Sequence, residues 1–173
     1  MKIDKNAFLA LEFLAYFLLF AVPAYLILSF SHSSFLAPVA ATSSAALLGA
    51  QVVQENGEWF VRSDKFDALI SDLCSGALEI SVLVGAIVAS RDRSRHERLK
   101  GAAAGVLAVL LLNPVRIAVT LQQVGSVNFA LFHEVLFRLA LVVFIVSFYG
   151  LWYWLSATPP STAFKNAERV KTR

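Results

Sequence analysis

Three residues of this sequence pair reactive chemistry with a regular position relative to apolar segments: Cys74, Arg116 and His133. Cys74, the one cysteine of the chain, opens an apolar run that ends at Ser90. Arg116 lies near the end of the run from Gly101 to about Leu121, and His133 near the head of the run from Leu131 to Leu155. Between the first two runs stands the basic segment "RDRSRHERLK", residues 91–100. Cys74 precedes Arg91 by seventeen residues, and Arg116 follows Lys100 by sixteen. At roughly 1.5 Å per helical residue, both rise about 25 Å from the same loop. Counting back from Trp152 puts His133 about 28 Å from that side. A thiol, a guanidinium and an imidazole therefore share one level on three successive helices.

The chemistry such a set can perform is acyl transfer. A free thiol titrates near ~8.5, and its thiolate is the nucleophile. Arg116 would favour the thiolate, or donate to a developing oxyanion in a water-poor site. His133 would take the thiol proton and later protonate a leaving amine. Each residue also has a plainer reading. A lone cysteine is commonly a small buried hydrophobe, and an arginine near a helix end commonly snorkels to the interface. Arg138 rivals His133 as the third group, although Glu134 and Arg138 at i,i+4 suit a structural ion pair. Glu79, five residues after Cys74, is placed to pair with an arginine or orient one. Pro114 opens the helix ladder, and Asn113 beside it can satisfy a freed backbone group. Ser75 and Gly76, next to the cysteine, are possible supporting residues. His32 and His96 lack partners at metal-ligand spacing, and no metal or other cofactor is expected.

The elements that must position these groups are apolar. Of 173 residues, 58% are hydrophobic and 16% charged, with a mean hydropathy of +0.67. That is too little charge for a water-facing surface, so the class read from composition is a polytopic membrane protein. The net charge of +3 reports orientation rather than nucleic-acid binding, because basic residues mark cytoplasmic loops. A single cysteine excludes an internal disulfide and a multi-cysteine zinc site. Spans are expected over Ala7–Phe30, Cys74–Ser90, Gly101–Leu121 and Leu131–Leu155. Phe35–Gln51, short and carrying Thr42, Ser43 and Ser44, either spans or lies at the interface. "VVQENGEWFV" reads as a β-hairpin turning at Asn56-Gly57. The arginine-rich loop is placed in the cytoplasm, which puts the hairpin and Cys74 outside. The expected fold class is thus all-α: a polytopic membrane helix bundle with four to five transmembrane helices and a small extracytoplasmic β-hairpin. Residues 1–157 form an integral membrane domain, and 158–173 a basic cytoplasmic tail.

Taken together, "CSG" (Cys74 to Gly76) at the head of one span, "NPVRI" (Asn113 to Ile117) near the outer end of the next, and His133 opening the last resemble the exosortase/archaeosortase family. The resemblance covers roughly residues 45–141. It implies a membrane-embedded cysteine protease or transpeptidase with a triad of Cys74, Arg116 and His133. Some members use arginine as the third group, which keeps Arg138 open. The implied partners are exported proteins that end in a short motif, a hydrophobic helix and a basic tail. A membrane lipid is a possible acceptor, and no nucleic acid is involved. The implied location is the prokaryotic cell membrane, with the active site facing outside. Family members often follow the cysteine motif with a basic residue, where this chain has Ala77-Leu78-Glu79. The alternative from another class is a non-enzymatic membrane subunit or small transporter with a polar path through Arg116 and Glu79. Such transporters usually carry paired repeats, and the chain shows none.

Overall fold

The computed structural model of the chain describes residues 4–30, 35–71, 74–127, 129–131 and 137–157. It begins with helix α1 (Lys5–Phe30) and helix α2 (Leu36–Leu48). Three strands follow: β1 (Gln51–Glu55), β2 (Glu58–Ser63) and β3 (Phe66–Leu69). Helix α3 (Ala77–Ala89), helix α4 (Arg95–Gln122), the short turn of helix α5 (Phe129–Leu131) and helix α6 (Phe137–Leu155) complete the order.

The strands form an antiparallel meander in the order β1-β2-β3. The first turn uses Asn56 at φ 53° and Gly57 at φ 85°, the two positive-φ positions a tight hairpin demands. The second is another two-residue connection, Asp64-Lys65, between Ser63 and its partner Phe66. On one face of the sheet Arg62 bonds Glu55 at 3.0 Å and Asp67 at 2.8 Å. Asp67 and then Glu55 hold the Arg62 guanidinium more firmly protonated than a free arginine. On the other face Val61 is fully buried and joins Ala40, Ala41 and Ala45 of α2, Ile70, and Ile117 and Leu121 of α4 in one apolar cluster. The alanines of α2 let the sheet approach closely. Ser44 is fully buried and donates its hydroxyl to the Ala40 carbonyl at 2.6 Å, which satisfies it inside that face.

A second cluster joins Leu36 of α2, Ala77, Ile80, Leu83 and Ile87 of α3, and Val109 of α4. Phe144, Phe148 and Trp152 of α6 pack against it. Small residues set these approaches. A Cβ at Gly85 of α3 would lie 2.7 Å from the Ala21 Cβ of α1, and a Cβ at Gly101 would collide with the Trp152 indole, the small-residue contacts by which apolar helices pack. Arg91 bonds both Glu12 at 2.7 Å and the Tyr16 hydroxyl at 2.9 Å, fastening α1 to the end of α3. Ser94 and Glu97 form a reciprocal capping box at the head of α4.

The expected all-α bundle of four to five spans is corrected on two counts. The polar segment holds a three-stranded sheet rather than a hairpin, because "FDAL" pairs with β2 as a third strand. Among the described residues, two helical stretches are long and apolar enough to cross a membrane, Lys5–Ser29 and Arg95–Gln122. The Cys74–Ser90 run yields only the 13 residues of α3, about 20 Å against a hydrocarbon core of about 30 Å. Gly76 in the left-handed region holds the chain out of the helix at its start. The segment 35–51 likewise gives a 13-residue helix, stopped by Gly49 at φ 63°. The last run contributes the 19 residues of α6, whose apolar part is Leu139–Leu155; residues 132–136 lie outside the described residues. Large apolar side chains still face outward along the two long helices, Leu19 and Ile27 of α1 and Leu107 and Leu111 of α4 among them. The basic tail from residue 158 lies outside the described residues.

Candidate active site around Cys74

Cys74 sits in the turn between the sheet and α3, two residues before the Gly76 cap. Its amide donates to the Ser71 carbonyl at 2.9 Å, and the Ser71 hydroxyl donates to its sulfur at 3.5 Å. Cys74 is partly exposed and stands just before the amino end of α3. Ser75 is buried and accepts the Ala77 amide through its hydroxyl oxygen at 3.3 Å, one local bond that helps start the helix.

Gly76 has φ 93°. A Cβ there would stand 3.1 Å from Val109 Cγ1 and 3.3 Å from Asn113 Nδ2. A glycine is required twice over, by the left-handed backbone and by the approach of α4. That approach lets Asn113 donate through Nδ2 to the Cys74 carbonyl at 2.8 Å. Asn113 therefore clamps the backbone of the cysteine itself, a more direct task than the rescue of a group freed by Pro114.

Arg116 follows one turn later on α4. Its Nη1 donates to Glu79 Oε1 at 2.7 Å, and the two side chains are 12% and 5% exposed. Side chains on a helix lean toward its amino end. Arg116 therefore points back along α4 toward the loop and meets Glu79, while Asn113 meets Cys74. The Arg116 carbonyl accepts from Thr120 Oγ1 at 2.9 Å.

Arg116 borders two cavities. The larger, about 310 Å³, is lined by residues 66–70, Cys74, Arg116, Ile117, Thr120, Leu121, Val124 and Phe129. The smaller, about 130 Å³, lies toward α6 and is lined by Glu79, Asn113, Arg116, Leu141 and Phe144 with other apolar neighbours. Glu79 Oε2 and Asn113 Oδ1 are buried without a hydrogen-bond partner among the described residues. Cys74 and Arg116 thus line one cavity, and the Arg116 guanidinium is oriented by a buried carboxylate. A continuous polar path through Arg116 and Glu79 would have to break their mutual ion pair.

Of the residues expected from sequence, Cys74, Ser75, Gly76, Glu79, Asn113 and Arg116 come together here. His133 and Glu134 lie outside the described residues, and so does the side chain of Arg138, whose backbone belongs to α6. Sequence reasoning missed Ser71, the hydroxyl donor to the sulfur, and the wall formed by β3. Ser71 is a local turn partner three residues before the cysteine, whereas β3 has no local signature, because it becomes a wall beside Cys74 only when the third strand folds back. Among the described residues no group of three or more His, Cys, Asp or Glu is arranged to hold a metal ion. No protein-family model matches the chain, and neither does any curated protein or solved structure.

Proposed function

We propose that the protein is a membrane-associated cysteine peptidase or transpeptidase of the exosortase/archaeosortase kind, with Cys74 as nucleophile. The observation that carries this reading is the shared cavity of Cys74 and Arg116, with Asn113 on the Cys74 carbonyl and Glu79 on Arg116. The cysteine thiolate attacks a substrate carbonyl, the carbon–sulfur bond forms, and the developing oxyanion is met by guanidinium donors. The carbon–nitrogen bond then breaks and the leaving amine takes a proton, a task assigned to His133, with Arg138 as the rival third group. Attack on the thioester by an acceptor amine, hydroxyl or water releases the product and returns the thiol. The substrates are exported proteins with a C-terminal motif, an apolar helix and a basic tail, and the acceptor is a membrane lipid or water. The site faces outside, and the arginine-rich segment 91–100 faces the cytoplasm of a prokaryotic cell.

Co-expression of a substrate carrying such a C-terminal sorting helix tests the assignment. Processing should be lost in Cys74→Ala at wild-type protein levels. Processing at the wild-type rate in that variant would end the enzyme reading, since no second thiol exists to form the intermediate.

A further inference from the structure

We propose that β3 is a docking edge: an extended polypeptide segment pairs with it as a fourth strand and is led by it to the Cys74 thiol. This deepens the acyl-transfer reading and rests on it for the direction of the bound chain. Among the described residues, the sheet order leaves β3 bonded to β2 on one side alone. Five consecutive residues, Phe66 to Ile70, line the cavity that holds Cys74. Side chains of a strand alternate between faces, so a cavity on one face would meet every second residue. Five in succession place the cavity along the strand's free edge.

The register says which groups that edge offers. Ser63 and Phe66 flank a two-residue turn and are the first bonded pair of the hairpin, and pairs then alternate between bonded and non-bonded. Val61 and Ala68 form the next bonded pair and Trp59 and Ile70 the third, in agreement with the Ile70 amide donating to the Trp59 carbonyl at 2.8 Å. Asp67 and Leu69 fall between. Their amides and carbonyls point away from β2, toward the cavity, and both residues are exposed. Two donors and two acceptors thus stand in a row about 7 Å apart, the nearer pair, on Leu69, five residues before Cys74. Such an edge is the template on which peptides add as strands, with main-chain bonds giving affinity and flanking side chains giving specificity. The rest of the lining sets Ile117, Leu121, Val124 and Phe129 beside Arg116 and Thr120, and its apolar members suit every second side chain of the guest. With the apolar helix of the substrate downstream of the cut, the upstream segment lies along β3 and runs in the same direction as β3.

The test uses full-length protein in detergent and two forms of one fluorescein-tagged peptide of alternating valine and threonine. The C-terminal carboxamide is read by anisotropy, and the chloromethyl ketone by alkylation of Cys74. N-methylation of the peptide at one parity of positions should weaken binding about tenfold or more per lost bond, while the other parity stays within about twofold. Leu69→Pro removes an outward amide and leaves the ladder to β2 intact. It should weaken binding about tenfold, and Leu69→Ala should keep the parity pattern. Unchanged alkylation of Leu69→Pro by iodoacetamide shows that its site is folded. Equal losses at both parities, no saturable binding, or full binding by a folded Leu69→Pro would overturn the docking edge. Parity-dependent binding with no alkylation of Cys74 would instead uphold the edge and remove the nucleophile.

Discussion

Replacing Glu79 by leucine should be the most damaging single change near the site, and replacing its partner as well should repair it. The Glu79 and Arg116 side chains are 5% and 12% exposed and meet at 2.7 Å. Removing the carboxylate takes away the 2.7 Å ion-pair partner of a largely buried guanidinium, and breaking a buried pair from one side costs about 3–5 kcal/mol. Against a typical domain stability of about 5–15 kcal/mol, that is about a fifth or more of the total. A melting temperature should fall by roughly 10 °C for a chain of this size. Glu79→Leu/Arg116→Met removes both charges and refills the space. It should recover to within about 1 kcal/mol of wild type or exceed it, as buried ion pairs replaced by apolar groups do. Substrate processing should be lost in both, because the double variant restores the fold and not the oxyanion donor. Urea or SDS unfolding of the purified protein, run as a double-mutant cycle, measures the stabilities. A Glu79→Leu variant within about 1 kcal/mol of wild type would refute the buried pair. A double variant that processes substrate normally would refute the role of Arg116.

Cys74→Ser should keep the fold and lose nearly all processing, since a hydroxyl without strong base activation is a far weaker nucleophile; gel-shift of the co-expressed substrate reads it. Gly76→Ala forces a Cβ into the left-handed region and against Val109 and Asn113, and should cost about 1–2 kcal/mol along with activity. Asn113→Leu should slow alkylation of Cys74 by an extended peptide ketone more than by iodoacetamide, because it frees the Cys74 carbonyl without touching the thiol. Gly101→Leu should detach α6 from α4, since its side chain claims the place of the Trp152 indole, and crosslinking between engineered cysteines on the two helices in a Cys74→Ala background would report the loss.

The apolar parts of the long helices were legible from hydropathy, and α1 stands where an unbroken apolar run predicts; α4 instead starts at Arg95, inside the basic segment read as a loop, because the Ser94–Glu97 capping box begins the helix there. The first hairpin was legible because Asn56-Gly57 is a strong turn signal. β3 was not, since the Asp64-Lys65 turn carries no comparable signal and "FDAL" is too short to show a period. The lengths of α2 and α3 were overread because composition continues through points where the backbone cannot, at Gly49 and Gly76. Helix arithmetic brought Arg116 and Cys74 to one cavity, but it left open which side chains touch. A rise per residue locates Cα atoms, whereas side-chain tilt decides that Asn113 reaches Cys74 and Arg116 reaches Glu79.

Because Asn113 and Arg116 grip the site from one helix, the three-residue interval between them is a fixed length in a chain that is otherwise free to drift. Each residue added between them would turn Arg116 by about 100° around α4, out of reach of Glu79, and no side-chain change elsewhere could turn it back. The interval from Cys74 to Glu79 is bound to it in the same way, since the two pairs bridge the same two helices. Loops such as the Asn56-Gly57 turn can lengthen at little cost. In descendants of this sequence, insertions and deletions should therefore gather in the sheet's turns and stay out of residues 74–79 and 113–116. Related chains would then be recognised by two short intervals rather than by overall identity.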